Sequence, residues 1–387
     1  MKLHGQSSKV CVIGAGIIGS WTALHLAEAG VHTTLIEQFP LPHTRGSSHG
    51  LSRAFRFLGE LELDRLDYSL ERWLALEDTT GETLFVKTGL LNFGPCGDPD
   101  LETFMAVLGD AGRPFEWLDS GAIATRYPAI RYPREWGAAW DPDAGLLIAH
   151  RCLNAVQARY LALGGRIMTG RADSVDNGNG TGVQIEVSSN SSGVVDKLTF
   201  DGVVVCAGPW TQQLLPQLKP LLRSLLTPVT YWCDPSASYA VSNGFPILFN
   251  ARLTGIYGLP SFEYRGLVKM LFHGGPESHP DTRDQASFTS YIDKVQAYVR
   301  DHLPRLDHGK PAILETCMYT MSPDSNPIID RFADNLVIGC GFSGSGFKHS
   351  PATGMMLAAM VTGKDTAIPK GFRSDRYTLD RFSHIPG

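Results

Sequence analysis

No stretch of this sequence reaches the roughly 18 consecutive apolar residues that a membrane-spanning helix needs. No polybasic stripe is present either. Lys and Arg total 34 against 39 Asp and Glu, a net charge of −5, which argues against nucleic acid as the main partner. No Cys-x-x-Cys pair occurs. The seven cysteines, at 11, 96, 152, 206, 233, 317 and 340, are odd in number and irregular in spacing. Neither a disulfide framework nor a zinc site is expected, and a reducing compartment fits. Internal repeats and long low-complexity tracts are missing; "SSNSSG" at 188–193 reads as a hairpin loop. The N-terminal segment lacks the small-residue cleavage site of a signal peptide, so the sequons at Asn179 and Asn190 carry little weight. The C-terminal "SHIPG" is not an SKL-type address. A cytoplasmic location is expected, with a peroxisomal one open in a eukaryote.

What is there suffices for a large core. The chain has 387 residues, 43% hydrophobic and 19% charged, which suits two domains, or one domain with an insertion. The run "DRLDYSLERW" at 64–73 mixes both charge signs and reads as a solvated face.

The segment "KVCVIGAGIIGSWTALHLAEAGVHTTLIEQ" at 9–38 holds the first motif. Val10 to Ile13 is a β-branched run, hence a buried strand. Gly14, Gly16 and Gly19 form G-x-G-x-x-G. A helical pattern follows and stops at Gly30, and "HTTLIE" is a second strand ending in Glu37, 23 positions beyond Gly14. Gly14 permits the tight turn, Gly16 lets a pyrophosphate approach the backbone, and Gly19 lets helix and strand pack closely. The helix N-terminus offers N–H groups and a positive dipole end to phosphate. Glu37 can accept ribose hydroxyls. The pattern predicts a dinucleotide site without choosing between NAD and FAD.

The next stretch, "QFPLPHTRGSSHGLSRAFRF" at 38–57, is rich in Pro, Gly and small polar residues and carries the basic pair Arg53 and Arg56. It reads as an irregular wrap around a larger cofactor. Here the sequence resembles the monomeric sarcosine oxidase and pipecolate oxidase family of D-amino-acid-oxidase-like flavoproteins. "PHTRGSSHGLSRAFR", "TGLLNFG", "CAGPWTQQLL", "YGLPSFEYRGLVKMLFHGG", "VRDHLP", "ETCMYTMSPDSNPIIDR" and "GCGFSGSGFKHSP" carry the likeness almost end to end.

The resemblance implies an α/β fold: a Rossmann-like FAD-binding domain with an interleaved substrate domain built on a mixed sheet. The FAD-binding part would comprise residues 1–90, 150–215 and 320–387, and the substrate part 91–149 and 216–319. Strands are expected at "RIMTG", "VQIEV", "GVVVC", "TPVTYWC", "ILFNARLTGIYGLP", "LVKMLFHG" and "NLVIGCG", and a helix over 280–304. The family pattern implies roles residue by residue. Ser48, His49 and Ser52 contact the flavin and Arg53 faces it. Arg56 and Lys348 bind the substrate carboxylate. Lys269 assists the reaction with O2, and His273, Tyr257 and Tyr319 line the pocket. Gly344 and Gly346 let the loop approach the ring, and Cys317 forms a thioether to the flavin. The implied enzyme is a monomeric flavoprotein oxidase of a carboxylate-bearing secondary or cyclic amine, yielding an imine and hydrogen peroxide.

Two departures bear on the substrate. Where the family often has "GFSGHGFK" this chain has "GFSGSGFK", so Ser345 replaces His; and Leu58 and Gly59 stand where an aromatic is frequent. A roomier pocket and a substrate bulkier than sarcosine are expected. Two alternatives stay open: an FAD dehydrogenase of a hydroxy or amino acid that uses another acceptor, and a non-catalytic NAD-binding protein.

Overall fold

The structure is a computed structural model of the chain. It describes residues 8–57, 63–177, 182–189, 194–369 and 377–383. Leu58, Gly59, Asn179, Asn190 and the tip of the expected hairpin at 190–193 lie outside the described residues.

The β-branched runs form a six-stranded sheet in the order Ile328–Ala333, Leu336–Cys340, Gly202–Val205, Lys9–Ile13, His32–Glu37, Arg166–Thr169. Five of its strands run parallel and the Ile328–Ala333 edge strand is antiparallel. The central strand is covered on both sides, with Val12 between Leu35 and Val204, which is why its residues read as a continuous apolar run. Helix Ile17–Glu28 follows the glycine turn. It is buried on nearly every side because helices Ala149–Ala162 and Ser350–Val361 pack against it.

The second sheet has eight strands in the order Ile313–Met321, Arg223–Cys233, Leu267–Phe272, Ile256–Leu259, Ile247–Asn250, Leu90–Pro95, Trp136–Asp141, Glu116–Leu118. It is mixed: Ile247–Asn250 and Leu90–Pro95 are parallel and the other neighbours antiparallel. Strand Ile313–Met321 pairs along most of Arg223–Cys233, and that register sets Cys317 opposite Thr227.

Four expectations change. The "ILFNARLTGIYGLP" strand is two strands joined by the helical turn Ala251–Thr254, because Gly255 (φ +76°) reverses the chain. The helix over 280–304 is confined to Thr289–His302. Ahead of it only a single 3-10 turn forms, Arg283–Gln285, where the buried Arg283 reaches across to the carbonyls of Thr44 and Arg45, at 2.7 and 2.6 Å. The wrap at 38–57 ends in a strand, Arg53–Phe55, paired with Gly145–Leu147. The mixed-charge run belongs to helix Leu63–Thr80, which buries Arg65, Leu66, Ser69 and Trp73; only its other face is solvated.

Candidate active site

A cavity of about 1270 Å³ is lined from both large sheets, more than the roughly 300–1,000 Å³ of ordinary ligand pockets. Every site residue proposed from the sequence lines it except Gly19. Gly19 packs on the turn instead, and a Cβ there would collide with the Gly14 carbonyl.

At the glycine-rich end, Gly14 has φ +100° and donates its N–H to Ile36 O at 2.7 Å. The buried Glu37 accepts from Ala15 N at 2.9 Å and Phe39 N at 3.1 Å, and faces His43 Nε2 at 3.4 Å. The acid is thus fixed against the turn. Helix Ile17–Glu28 has no side-chain cap from Gly16. Ser48 Oγ supplies one, accepting from Ile17 N at 2.9 Å.

The basic pair is held firmly. Arg53 donates to Ser52 O at 2.7 Å, to Ser47 O at 2.9 Å and to His49 O at 2.6 Å, and approaches Cys317 Sγ at 3.8 Å. Burial opposes its charge, but Cys317, Tyr257 and Glu263 outweigh that and raise its pKa. His49 has both ring nitrogens against carbonyls, Gly46 O at 2.8 Å and Thr316 O at 2.9 Å. Burial and the Arg53 charge push its pKa down to about 4, so the ring is neutral and donates once. It acts as a bracket between the 46–53 segment and the strand carrying Cys317. Arg56 stacks on Phe249, 3.8 Å from guanidinium carbon to ring centroid, and its carbonyl accepts from Lys348 Nζ at 3.4 Å.

Tyr257 and Tyr319 share a hydroxyl contact of 3.1 Å. His273 lies 5.3 Å from the Tyr319 ring and 6.3 Å from Tyr257. Burial, then the charge of Arg56, lowers its pKa, which keeps the imidazole neutral at neutral pH. The loop after strand Leu336–Cys340 closes over both rings at Gly344 (φ +87°), where a Cβ would come within 2.9 Å of His273 and Tyr319. At Gly346 a Cβ would meet the Phe342 ring at 2.9 Å. Ser345 Oγ donates to Phe342 O at 2.9 Å, so its hydroxyl is engaged within the loop.

Lys269 is buried. Its Nζ donates to Ser52 O at 3.2 Å and to Glu263 Oε1 at 3.1 Å. Glu263, Tyr231, Glu315, Phe249 and Thr227 were missed in the sequence reading. A mid-strand Lys flanked by Val and Met is the signal for a nearby acid, because Lys is almost never fully buried unless paired. Nothing local marks which acid.

The cavity has polar capacity to spare. Ser52 Oγ and Thr227 Oγ1 line it, are buried, and have no hydrogen-bond partner among the described residues. Buried hydroxyls normally find one, so these fit a polar ring system between strand Arg223–Cys233 and residue 52. Among the described residues no cluster of His, Cys, Asp and Glu could hold a metal ion, and no helix is long and apolar enough to cross a membrane.

Residues 9–360 match the family model of FAD dependent oxidoreductases of the DAO type. The chain belongs to that family. It is an FAD-dependent oxidoreductase. It is 37% identical to the peroxisomal sarcosine oxidase of Mus musculus, over 97% of this chain and 96% of that protein. It is 39% identical to the peroxisomal sarcosine oxidase of Homo sapiens, over 89% of this chain and 90% of that one. Among solved structures it resembles NikD, an amino acid oxidase of nikkomycin biosynthesis, with a TM-score of 0.79 and 21% identity over 96% and 98% of the two chains. That likeness speaks to the α/β fold alone. The glycine turn and Glu37 suit the adenosine diphosphate half of FAD, and the orphan hydroxyls and Arg53 suit its ring system.

Proposed function

We infer that the protein is an oxidase of secondary or cyclic amino acids, with FAD tethered through Cys317 and O2 as the electron acceptor. The observation carrying this reading is the pair of cations Arg56 and Lys348, both lining the cavity and tied by Lys348 Nζ donating to the Arg56 main-chain carbonyl at 3.4 Å, beside the neutral His273 and the Tyr257–Tyr319 pair. An Arg fork and an ammonium make a strong carboxylate clamp. The positive charges of Arg56 and Lys348 disfavour an ammonium close by and so favour an uncharged amine.

Bound FAD supplies the two-electron acceptor for the carbon–hydrogen bond next to the amine nitrogen. The amine loses two electrons and two protons, O2 gains both, and the products are an imine, which water hydrolyses, and H2O2. Arg56 and Lys348 orient the substrate by its carboxylate. Tyr257, Tyr319 and Gly344 close the pocket over it. Lys269 places a positive charge on the cavity wall, where charge develops as oxygen is reduced. Arg53 puts a guanidinium 3.8 Å from the Cys317 sulfur, and Cys317 lines the cavity, where a thioether tether to the ring could form.

The substrate is bulkier than sarcosine on this reading, because Ser345 is small and turned back onto Phe342. The chain acts as a monomer. Its FAD-binding part comprises residues 1–90, 150–215 and 320–387, and the substrate part 91–149 and 216–319; strand Ile313–Met321 crosses the last boundary.

Acid precipitation tests the tether. The pellet should be yellow, and Cys317→Ser should release the colour to the supernatant; a yellow Cys317→Ser pellet refutes the linkage. A panel of N-alkyl and cyclic amino acids, read by peroxide release, tests the chemistry. Highest kcat/KM for sarcosine would remove the bulk argument, and reduction of the flavin without peroxide would favour another electron acceptor.

A further inference from the structure

The eight-stranded sheet buries a second layer of ionisable groups behind Lys269. Glu263 sits in the turn before strand Leu267–Phe272, six residues ahead of the lysine. The two form an ion pair with side chains only 6% and 4% exposed. Glu263 Oε2 accepts from Tyr231 OH at 2.7 Å. The same phenol lies 3.2 Å from Glu315 Oε2, and Tyr264 OH donates to Glu315 Oε1 at 2.9 Å. Tyr231 has one O–H to give, and its shorter contact is to Glu263. Both oxygens of Glu263 are then occupied, one by the ammonium and one by the phenol. The Tyr231 ring also lies 5.6 Å from Lys269 Nζ.

We propose that Glu263 is the positioning residue for Lys269: it pins the ammonium to the cavity wall and keeps it protonated, with Tyr231 and the Glu315–Tyr264 pair fixing Glu263 in turn. The proposal rests on Lys269 as the oxygen-side charge. A buried ammonium without an anionic partner gives up its proton readily. The groups facing Lys269 divide clearly. Glu263, from its own hairpin, and Glu315, from strand Ile313–Met321, favour the charge; Arg53, from strand Arg53–Phe55, opposes it; Tyr231 faces it from strand Arg223–Cys233. Burial is the largest influence and lowers the lysine's pKa, with Glu263 the chief force the other way. Ser52 O is the only other hydrogen-bond acceptor that Lys269 Nζ meets among the described residues, so without Glu263 the geometry of the ammonium also loosens.

A lowered lysine pKa means that protonated Lys269 is present at low pH and lost as pH rises. The oxygen step should therefore slow as pH rises through that pKa. In Glu263→Gln the decline should begin about one pH unit or more lower, while reduction of the flavin by substrate changes less than about twofold. Sulfite, an anion that reversibly bleaches oxidised flavin, gives a second readout at equilibrium, without turnover. Its affinity should fall with pH at the same displaced midpoint. Lys269→Met is measured alongside and should lower the oxygen rate at least about tenfold. If Lys269→Met reacts with oxygen at the wild-type rate, the reading beneath the proposal fails. If Lys269→Met is impaired but Glu263→Gln follows the wild-type pH profiles, the proposal alone is overturned. Should Glu263→Gln not fold, Tyr231→Phe takes its place, with a smaller displacement expected in the same direction and superposed profiles again overturning it.

Discussion

At the glycine-rich end of the cavity the work falls to main-chain groups close together in sequence. At the Lys269 end it falls to side chains from distant segments. Gly14 N–H meets Ile36 O, and Ala15 N–H meets the Glu37 carboxylate; the turn, helix and second strand lie within residues 9–37. Lys348 Nζ reaches the Arg56 main-chain carbonyl across 292 positions, and Tyr231 OH lies beside Glu315 across 84. One end is specified by a local pattern, the other by the register of antiparallel strands. Tyr231 stands beside Lys269, and Thr227 beside Cys317, only because those registers hold. A slip of one residue would turn each such side chain to the opposite face.

Two variants break the comparison at its two ends. Gly14→Val attacks the local end and should have the largest effect. At φ +100° a β-branched residue is strained, and the Cβ would collide with the Cys206 carbonyl. Strain of this kind costs on the order of 1–3 kcal/mol, before the collision is relieved. The expected outcome is a protein without flavin and with a lower Tm, read from the ratio of 450 nm to 280 nm absorbance and from a melt. Normal flavin content would show that the turn tolerates a side chain. Lys348→Met attacks the long-range end. It leaves the glycine turn and flavin content intact, and it should lower kcat/KM for the carboxylate substrate about 100-fold, the scale of losing one member of a buried charge clamp. The matching amine without a carboxylate should be unaffected. An equal loss for both would place Lys348 outside the clamp.

The same contrast explains what was legible in the sequence. The glycines, Glu37 and the alternation of buried strand and helix state their physics locally, so the sheet containing Lys9–Ile13 was readable. Arg53, Arg56, Lys269, Cys317 and Lys348 were found through motif resemblance, and all five line one cavity. Phe249 under Arg56, and Glu263 behind Lys269, were not found. Their partners are set by strand pairing, and neither Phe nor Glu is unusual where it stands. Ser48 and His49, assigned to the flavin by resemblance, line the cavity, and their side chains also cap helix Ile17–Glu28 and tie the 46–53 segment to Thr316. These main-chain ties were not legible, because local composition marks a residue as polar and loop-borne without naming its hydrogen-bond partner. The 280–288 segment, with only the 3-10 turn Arg283–Gln285, was read as part of the helix because the tie from Arg283 to Thr44 and Arg45 is long-range.

The smallest expected effect contrasts two buried carboxylates. Glu37, at the dinucleotide end, has both oxygens in polar contact. Asp141 ends strand Trp136–Asp141 in the eight-stranded sheet and is 1% exposed. One of its oxygens accepts from Asp143 N at 2.9 Å, while Oδ2 has no partner among the described residues. Burial, above all, pushes its pKa up from 3.8 to about 6. For an acid raised in this way the neutral form suits the fold. The associated stability is complete below the unfolded value and is lost as pH rises through about 6. Asp141→Asn keeps the neutral form at every pH. It should therefore stabilise the protein at about pH 7.5 by on the order of 2 kcal/mol, since each pH unit between the folded and unfolded pKa is worth about 1.36 kcal/mol, and the gain should vanish near pH 4. Glu37→Gln should show no such gain, because the amide NH2 would face one of the two donors, Ala15 N–H or Phe39 N–H. Melting curves of the two variants and the wild type at both pH values make the test. A stabilised Glu37→Gln, or an Asp141→Asn gain that does not change with pH, would mean that bare burial and not hydrogen-bond supply separates the two ends.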